Sequence, residues 1–254
     1  MNFIESPNLP KRKVKYVVCD SRVDPLVLTE LKAMDIKVLT VSPSPDLQIP
    51  VSAHPDMNLL HVGSGQFISS GSFFADFNKQ ISVIGREIKD CEIFNNRRVT
   101  EELNREYPYD VLLNAVIIGE YIICNPKTVS KDVLEATNKI IINVKQGYTK
   151  CSTAIVSEQA IITDDVTIYN SVKNKIDVLL ITHGDVELKG YDYGFIGGCS
   201  GKLSSDTLCF CGDLKKSKYC NDIISFCKNH GVECVSLSNG SLYDYGSLIP
   251  IIEA

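Results

Sequence analysis

The sequence predicts an α/β fold in which five similar units make up a single domain, and two observations indicate it. Of the 254 residues, 44% are hydrophobic and 22% are charged, which is ordinary for a globular protein and excludes wholesale disorder. The chain also repeats itself about every 40 to 45 residues, with units that begin near Val14, Met57, Leu112, Ser152 and Asp206. Most units show an apolar run, a polar break, an amphipathic helix and a closing β-branched run.

The helices follow from the spacing of their apolar residues. In the fifth unit Ile223, Ile224, Phe226 and Cys227 fall on one stripe of a helix. The glycine that follows, Gly231, is typical of a helix C-terminus. The sequence therefore predicts a helix that ends just before this glycine.

The third unit offers a helix start and the units share a closing strand. Ser130 precedes an apolar face that includes Val133 and Leu134, so it is expected to cap that helix.

Continuous apolar runs close four of the units and are expected to be strands buried on both faces. They lie at residues 37–41, 140–144, 178–181 and 232–237.

Five such units have two possible arrangements, an open doubly wound sheet or a closed ring. An open sheet of the nucleotide-binding kind carries a glycine-rich turn after its first strand. Here the first strand ends in C-D-S-R-V-D-P, and the sequence contains no G-x-x-x-x-G-K-[ST] motif, so nucleotide binding is disfavoured. In a ring, each unit would bring the start of its first strand to a shared axis, and a site would be assembled from one loop per unit.

Charge and composition limit the partners and the location. The net charge of −5 argues against nucleic-acid binding, and no apolar stretch approaches the length of a membrane span. The N-terminal segment lacks the apolar core of a signal peptide, so a cytoplasmic location is expected.

Residues 1–13 are interpreted as a loose basic arm, and residues 14–254 as one five-unit domain. Hard metal ligands are scattered along the chain, and neither a metal nor a cofactor is predicted.

The ten cysteines are the unusual feature of the composition. In a reducing compartment a disulfide framework is not expected, and the zinc-binding C-x2-C spacing does not occur. Eight of the ten lie within the units and are interpreted as packing or ordinary surface residues. Only Cys151 and Cys199 fall in loops at unit entrances.

The loops that precede the first strands are the expected place for chemistry. They span residues 54–58, 109–114, 146–153, 197–201 and 243–247. One contains the motif His54-Pro55-Asp56, and two contain a cysteine near glycines. A thiolate close to a histidine or a helix N-terminus would be an activated nucleophile.

Five units of this type, an H-x-D motif, and a Gly-flanked cysteine followed by Ser or Thr resemble the pentein superfamily of guanidino-group-modifying enzymes. The chain is most similar to a clostridial-type family of this fold. The resemblance implies a five-fold pseudosymmetric α/β-propeller over the five units. It also implies a cysteine that attacks a guanidinium carbon, a histidine that moves protons, and carboxylates that hold the cation.

The resemblance assigns roles to particular residues. Cys151 is the candidate nucleophile, His54 the proton shuttle, and Asp56, together with Asp20, would bind the substrate cation. Because the family nucleophile lies near the C-terminus, Cys199 with His183 is a second candidate pair. The candidate substrate-binding residues are Asp20, Arg22, Asn114, Asp185 and Asp244.

Two functions follow from this reading. The first is a hydrolase or transferase that acts on a small cationic guanidine or amidine, such as an arginine derivative, through a covalent thiouronium adduct. The second is a non-catalytic module that binds a small ligand or a protein in its axial pocket. Convergence of a cysteine, a histidine and carboxylates in the central pocket would favour the enzyme.

Overall fold

A computed structural model describes residues 1–89 and 91–254, and its strands form five small sheets. In chain order the strands are β1 (Asn2–Phe3), β2 (Val14–Asp20), β3 (Lys37–Val41), β4 (Leu59–Gly63), β5 (Gln66–Ser69), β6 (Asn95–Arg98), β7 (Val116–Ile118), β8 (Tyr121–Cys124), β9 (Ile140–Asn143), β10 (Thr153–Ser157), β11 (Ala160–Thr163), β12 (Asp177–Leu180), β13 (Ser200–Ser204), β14 (Thr207–Phe210), β15 (Glu233–Ser236) and β16 (Ile249–Glu253). The α-helices are α1 (Pro25–Ala33), α2 (Pro55–Asn58), α3 (Gly71–Ile84), α4 (Lys131–Glu135), α5 (Val166–Val172) and α6 (Cys220–Asn229).

Each sheet repeats one topology. An antiparallel pair such as β10 and β11 is followed by a helix, and the third strand, here β12, then pairs in parallel with the second. A parallel pair needs a crossover connection, and the helix of each unit provides it. Side-chain caps start four of these five helices, the exception being α6. Ser130 accepts a hydrogen bond from the backbone of Asp132, as the sequence predicts, and Asp165 caps α5 in the same way.

The C-terminal strand closes the ring. β16 pairs antiparallel with β2, and the first sheet has the strand order β1-β16-β2-β3. The first sheet therefore receives its leading strand from the end of the chain, so the loop at 243–247 serves as its entrance. The architecture is a ring of five ββαβ-type units, and the predicted α/β-propeller is confirmed.

The N-terminal segment is not the loose arm that its basic residues predict. β1 pairs with β16, and the side chains of Phe3 and Ile4 are buried, Ile4 completely. Burial of each such side chain contributes about 1.5–3 kcal/mol toward the cost of ordering the segment. The basic residues Lys11 and Arg12 also lie on the fold, where their backbone amides donate to the carboxylate of Glu253.

The closing strands are in the predicted places but are not buried on both faces. In β9 the side chains of Ile140 and Ile141 are 54% and 47% exposed, whereas Ile142 is buried. Each closing strand is an edge strand of its sheet, which has four strands in the first unit and three in the others. The strands buried on both faces are instead the inner ones such as β7 and β11, because they pack against neighbouring units around the axis.

Candidate active site

The five entrance loops are joined to one another around the axis by hydrogen bonds. The contacts that link successive loops run from the Asp56 amide to the Gly246 carbonyl (3.1 Å), from the Asn114 side chain to the Asp56 carbonyl (3.0 Å), from the Lys150 amide to the Asn114 side chain (2.7 Å), from the Gly198 amide to the Cys151 carbonyl (2.9 Å) and from the Ser247 amide to the Gly198 carbonyl (2.7 Å). The ring fixes the backbone of every loop, so side chains on the loops are held in defined positions.

Cys151 is the entrance cysteine that lines a cavity. Its thiol accepts a hydrogen bond from the Asn114 amide at 3.1 Å, and the Asn114 oxygen accepts from the Cys151 backbone amide at 3.3 Å. Asn114 therefore holds both the thiol and the backbone amide of Cys151 in place. Burial, reinforced by the charges of Asp56 and Asp244, raises the pKa of the Cys151 thiol well above its usual value.

His54 faces the same cavity with a carboxylate behind it. The residue precedes α2, where Pro55 occupies the first helical position, and its ring Nδ1 lies 3.7 Å from Asp244 Oδ1. Burial, assisted by the positive charge of Arg22, lowers the pKa of His54 to about 3, so the ring is neutral at physiological pH. A neutral imidazole next to a carboxylate is able to accept a proton.

Asp244 is held by backbone amides and by a close glycine. Its two oxygens accept hydrogen bonds from the amides of Phe195 (2.9 Å) and Gly246 (2.9 Å). A Cβ at Gly198 would lie 2.0 Å from Asp244 Oδ1, so only glycine fits there. Burial raises the pKa of Asp244 to about 7, and the nearby charge of Asp56 adds to that shift.

The cavity shared by these groups has a volume of about 210 Å³ and mostly aromatic and aliphatic walls. Its lining residues are Val51, His54, Met57, Tyr148, Cys151, Leu188, Tyr191, Asp192, Tyr193, Phe195 and Asp244. Tyr148 donates a hydrogen bond to Asp110, which ties one aromatic wall to the third unit. The cavity therefore combines a thiol, an imidazole and a carboxylate with a surface suited to a flat or cationic ligand.

Asp56 lies below the cavity and not on its lining. Its Oδ2 accepts a hydrogen bond from Ser247 Oγ at 2.7 Å, and the ammonium of Lys150 donates to the same hydroxyl at 2.8 Å. Asp56 Oδ1 is buried without a hydrogen-bond partner. Burial raises the pKa of Asp56, whereas the charge of Lys150 and the side chains of Ser247 and Cys151 lower it.

Asp20 and Arg22 bind each other. Arg22 forms two parallel hydrogen bonds with Asp20, at 2.9 and 2.6 Å, and its other donors reach the carbonyls of Ile49 and Pro50 and the hydroxyl of Ser52. The pair lines a separate groove on the other side of His54 and Asp244. Both residues are thus close to the candidate site but have their polar groups satisfied within the chain.

Cys199 and its expected partners lie away from the cavity. The Cys199 thiol is fully buried in a hydrophobic cluster and donates to the Ile196 carbonyl at 3.3 Å. His183 stacks on Tyr193 with ring centroids 4.5 Å apart, and its Nδ1 lies 3.8 Å from Asp164. Asp185 accepts a hydrogen bond from the hydroxyl of Ser217 and does not reach the cavity. The structure therefore brings Cys151, His54 and Asp244 together and separates Cys199 from them.

Sequence reasoning missed four side chains near the site. Lys150 and Ser247 lie in predicted entrance loops. The available signal was their position in the chain, since Lys150 directly precedes Cys151 and Ser247 follows Asp244 by three residues. Asp164 and Phe195 lie outside those loops, and no local pattern distinguishes them. Burial raises the pKa of Asp164 to about 8, and its Oδ2 accepts from the Ile196 amide at 2.8 Å.

The described residues, 1–89 and 91–254, lack both a metal-binding cluster and a membrane-spanning helix. No group of three or more His, Cys, Asp or Glu side chains is arranged to hold a metal ion. Within the same residues, no helix has the length and apolar character needed to cross a membrane.

Several solved structures share this fold over nearly their whole length. The amidinotransferase SxtG from Microseira wollei is 11% identical and has a TM-score of 0.54, with 98% of this chain and 97% of that chain covered. The inosamine-phosphate amidinotransferase StrB1 from Streptomyces griseus is 10% identical, with a TM-score of 0.58 and coverage of 100% and 98%. The agmatine deiminase from C. jejuni is 9% identical, with a TM-score of 0.53 and coverage of 93% of each chain. These matches show that the chain shares the pentein fold, which confirms the fold that the sequence resemblance implies.

Comparison of the sequence with known proteins and with family models identifies one family. No curated protein matches the sequence significantly. A family model described as "Family of unknown function (DUF6873)" matches residues 18–249, which is most of the chain. The protein therefore belongs to this family of unknown function.

Proposed function

We propose that the protein is a cysteine-dependent enzyme that acts on a small cationic guanidine or amidine, with Cys151 as the nucleophile. The observation that carries the proposal is the cavity of about 210 Å³ in which the Cys151 thiol, the His54 ring and the Asp244 carboxyl are all exposed to one space. Nucleophile, proton carrier and carboxylate are the three groups that attack on a guanidinium carbon requires.

The first step of the proposed reaction forms a covalent adduct and needs only the thiol and the substrate as reactants. The sulfur of Cys151 bonds to the guanidinium carbon, the bond from that carbon to one nitrogen breaks, and the thiol proton ends on the departing nitrogen. A thiouronium adduct and a free amine or ammonia result. Water then attacks the thiouronium carbon and releases the thiol, or an acceptor amine takes the amidino group instead.

His54 and Asp244 have complementary roles in this scheme. The neutral His54 ring relays a proton to the departing nitrogen and takes one from the attacking water, and Asp244 stabilises the ring while it is charged. Asp244 is also the carboxylate on the cavity wall that can bind the substrate cation. Asp20, in contrast, already holds the guanidinium of Arg22.

The cavity walls favour a cation that carries no carboxylate. Tyr148, Tyr191, Tyr193 and Phe195 provide aromatic faces, which attract cations. Among the residues that the structure describes, no Lys or Arg lines this cavity, and Asp192 adds a second acid to it. A substrate with a free carboxylate would meet only like charge, so a decarboxylated guanidine such as agmatine fits better than arginine.

The shared fold supports this choice of reaction class. The structural neighbours include proteins named as amidinotransferases and as an agmatine deiminase. At identities near one-tenth the likeness concerns the fold, so the reaction class rests on the cavity and its three groups.

The test is a panel of guanidines and amidines assayed for ammonia, urea and free amine release, with intact-protein mass spectrometry to trap the adduct. We expect turnover of at least one compound and an adduct of amidino mass on Cys151. Cys151→Ser should abolish both, whereas Cys199→Ser, the matched change of a buried entrance cysteine outside the cavity, should retain them. Turnover that survives Cys151→Ser would refute the assignment.

One observation favours a second candidate function, binding without catalysis. Burial raises the pKa of the Cys151 thiol well above its usual value, and a protonated thiol is a weak nucleophile. In that case calorimetry should detect a cation that binds in the aromatic cavity, and no compound of the panel should be turned over.

A further inference from the structure

Three buried side chains form a continuous polar connection below Cys151. Lys150, Ser247 and Asp56 are 7%, 1% and 1% exposed. The Lys150 ammonium donates to Ser247 Oγ at 2.8 Å, and that hydroxyl lies 2.7 Å from Asp56 Oδ2, to which it donates. A positive and a negative group are thus linked through one hydroxyl, out of contact with water.

Both the lysine and the serine are costly to place there. An ammonium removed from water loses several kcal/mol of solvation that only nearby opposite charge can offset. Ser247 adopts a φ of +73°, a left-handed conformation that costs a non-glycine residue about 1–2 kcal/mol. Strain of this kind persists where the surrounding structure over-determines it, often at functional positions. Here the strained backbone places the hydroxyl between the ammonium and the carboxylate.

The groups that face Lys150 include the nucleophile itself. Burial lowers the pKa of Lys150, whereas Asp56, Cys151, Asp244 and Cys199 act to raise it, so the positive charge depends on these neighbours. Lys150 and Cys151 are consecutive residues, and the amides of both donate to the Asn114 oxygen. One tight turn therefore carries both the cation and the thiol.

Asp56 has one oxygen free for a proton. Ser247 occupies Oδ2, whereas Oδ1 is buried without a partner. The Asn114 amide donates both to the Asp56 carbonyl at 3.0 Å and to the Cys151 thiol at 3.1 Å, so the two residues lie close together. Burial alone opposes an isolated thiolate. A proton that moves from the thiol to Asp56 leaves the net charge of the cluster unchanged, so burial opposes that transfer much less.

We propose that Asp56 takes the proton of Cys151 and that Lys150, held in place by Ser247, is the fixed positive charge that stabilises the resulting thiolate. The S–H bond of Cys151 breaks, an O–H bond forms at Asp56 Oδ1, and the ammonium of Lys150 exchanges a carboxylate for a thiolate as its counter-charge. The inference rests on the proposed function for the choice of Cys151 as nucleophile. The His54 ring, next to Asp244, then relays that proton to the departing nitrogen as the C–N bond breaks.

The test measures thiol reactivity and needs no substrate. The rate of Cys151 alkylation by iodoacetamide is followed from pH 5 to pH 10 by peptide mass spectrometry, in the wild type and in Lys150→Met. We expect Lys150→Met to slow alkylation at pH 7.5 by about tenfold or more and to move the apparent pKa of the rate upward by about one unit, since one pKa unit is a factor of ten. Ser247→Ala, which keeps the strained backbone but loses the hydroxyl, should slow the reaction by about threefold or more.

The control is the other buried lysine. Lys202 is 3% exposed and donates to the carbonyls of Val156 and Ser205, away from the axis. Lys202→Met should leave Cys151 alkylation within about twofold of the wild type. If Lys150→Met does not fold, Ser247→Ala decides the test.

The outcomes separate this inference from the proposed function. A rate profile unchanged by both Lys150→Met and Ser247→Ala would overturn the inference even if guanidines are turned over. A slowed and shifted profile would support it even if no compound of the panel reacts. An apparent pKa that moves only in His54→Gln would instead make His54 the base and overturn the role of Asp56.

Discussion

Gly246 provides a direct test of whether the ring of entrance loops positions His54. Its φ is +70°, and an added Cβ would lie 2.2 Å from His54 Cβ and 2.5 Å from His54 Cα. These are contacts with the backbone end of a residue, so a rotamer change cannot relieve them. The Gly246 amide also donates to Asp244, and its carbonyl accepts from Asp56, so the glycine cannot move away freely.

A second glycine separates the backbone cost of Gly246→Ala from its steric cost. Gly231 has a φ of +69°, and nothing lies within 4 Å of a Cβ added there. We expect Gly231→Ala to lower the free energy of unfolding by about 1–2 kcal/mol, the cost of a left-handed non-glycine residue. Gly246→Ala bears this cost and an overpacking cost of about 1–3 kcal/mol. The total loss should therefore be about 2–5 kcal/mol.

Urea denaturation followed by circular dichroism measures both losses under one set of conditions. The expected result is that Gly246→Ala is less stable than Gly231→Ala by about 1 kcal/mol or more. Because His54 must shift from Asp244, the alanine variant should also lose most of any turnover, whereas Gly231→Ala should keep it. Equal stabilities for the two variants, within about 0.5 kcal/mol, would refute the argument that His54 is held against Gly246.

Three further predictions concern charges. Because burial raises the pKa of Asp164 to about 8, its contribution to stability is present below pH 4 and is lost as the pH rises through 8; Asp164→Asn should therefore gain about 1–3 kcal/mol over the wild type between pH 5 and pH 8 in denaturation curves. Arg22→Met leaves Asp20 buried and unpaired and should cost about 2–3 kcal/mol, most of which Arg22→Met with Asp20→Asn should restore in a double-mutant cycle; full additivity would contradict the pairing. Agmatine should bind at least about tenfold more tightly than arginine by calorimetry, since one repelled carboxylate is worth about 1.4 kcal/mol or more; equal affinities would contradict the acidic cavity.

Much of the fold was predictable because each unit repeats the same local pattern. The closing strand at 37–41 and the helix that ends before Gly231 have the predicted bounds or nearly so. The N-terminal strand was not predictable, because Phe3 and Ile4 are too few to form a pattern and their place is set by pairing with β16. The exposure of Ile140 was missed for a related reason: an apolar run does not show which strand of a sheet lies at its edge.

The candidate site was predictable only to the level of its loops. Cys151 and Cys199 both stand immediately before a first strand, so their local sequences predict the same position. The tertiary packing distinguishes them: Cys199 lies in a cluster between the fourth and fifth units, and Cys151 lies at the cavity. Ser247 occupies the corresponding place before β16, yet a serine in a glycine-containing turn gives no signal of its partner Lys150, which is 97 residues away.

The pairing of Asp20 with Arg22 explains which carboxylate is left for a cationic ligand. Arg22 covers both oxygens of Asp20 in a two-point contact, and a free guanidine would have to displace a guanidinium that the chain itself keeps in place. Asp244 accepts only neutral backbone amides, and burial raises its pKa to about 7. A cation in the cavity would relieve that unfavourable burial, so binding energy is available at Asp244 and not at Asp20. Under the proposed function, the chain's own guanidinium thus leaves a guanidine substrate the side of His54 on which Cys151 lies.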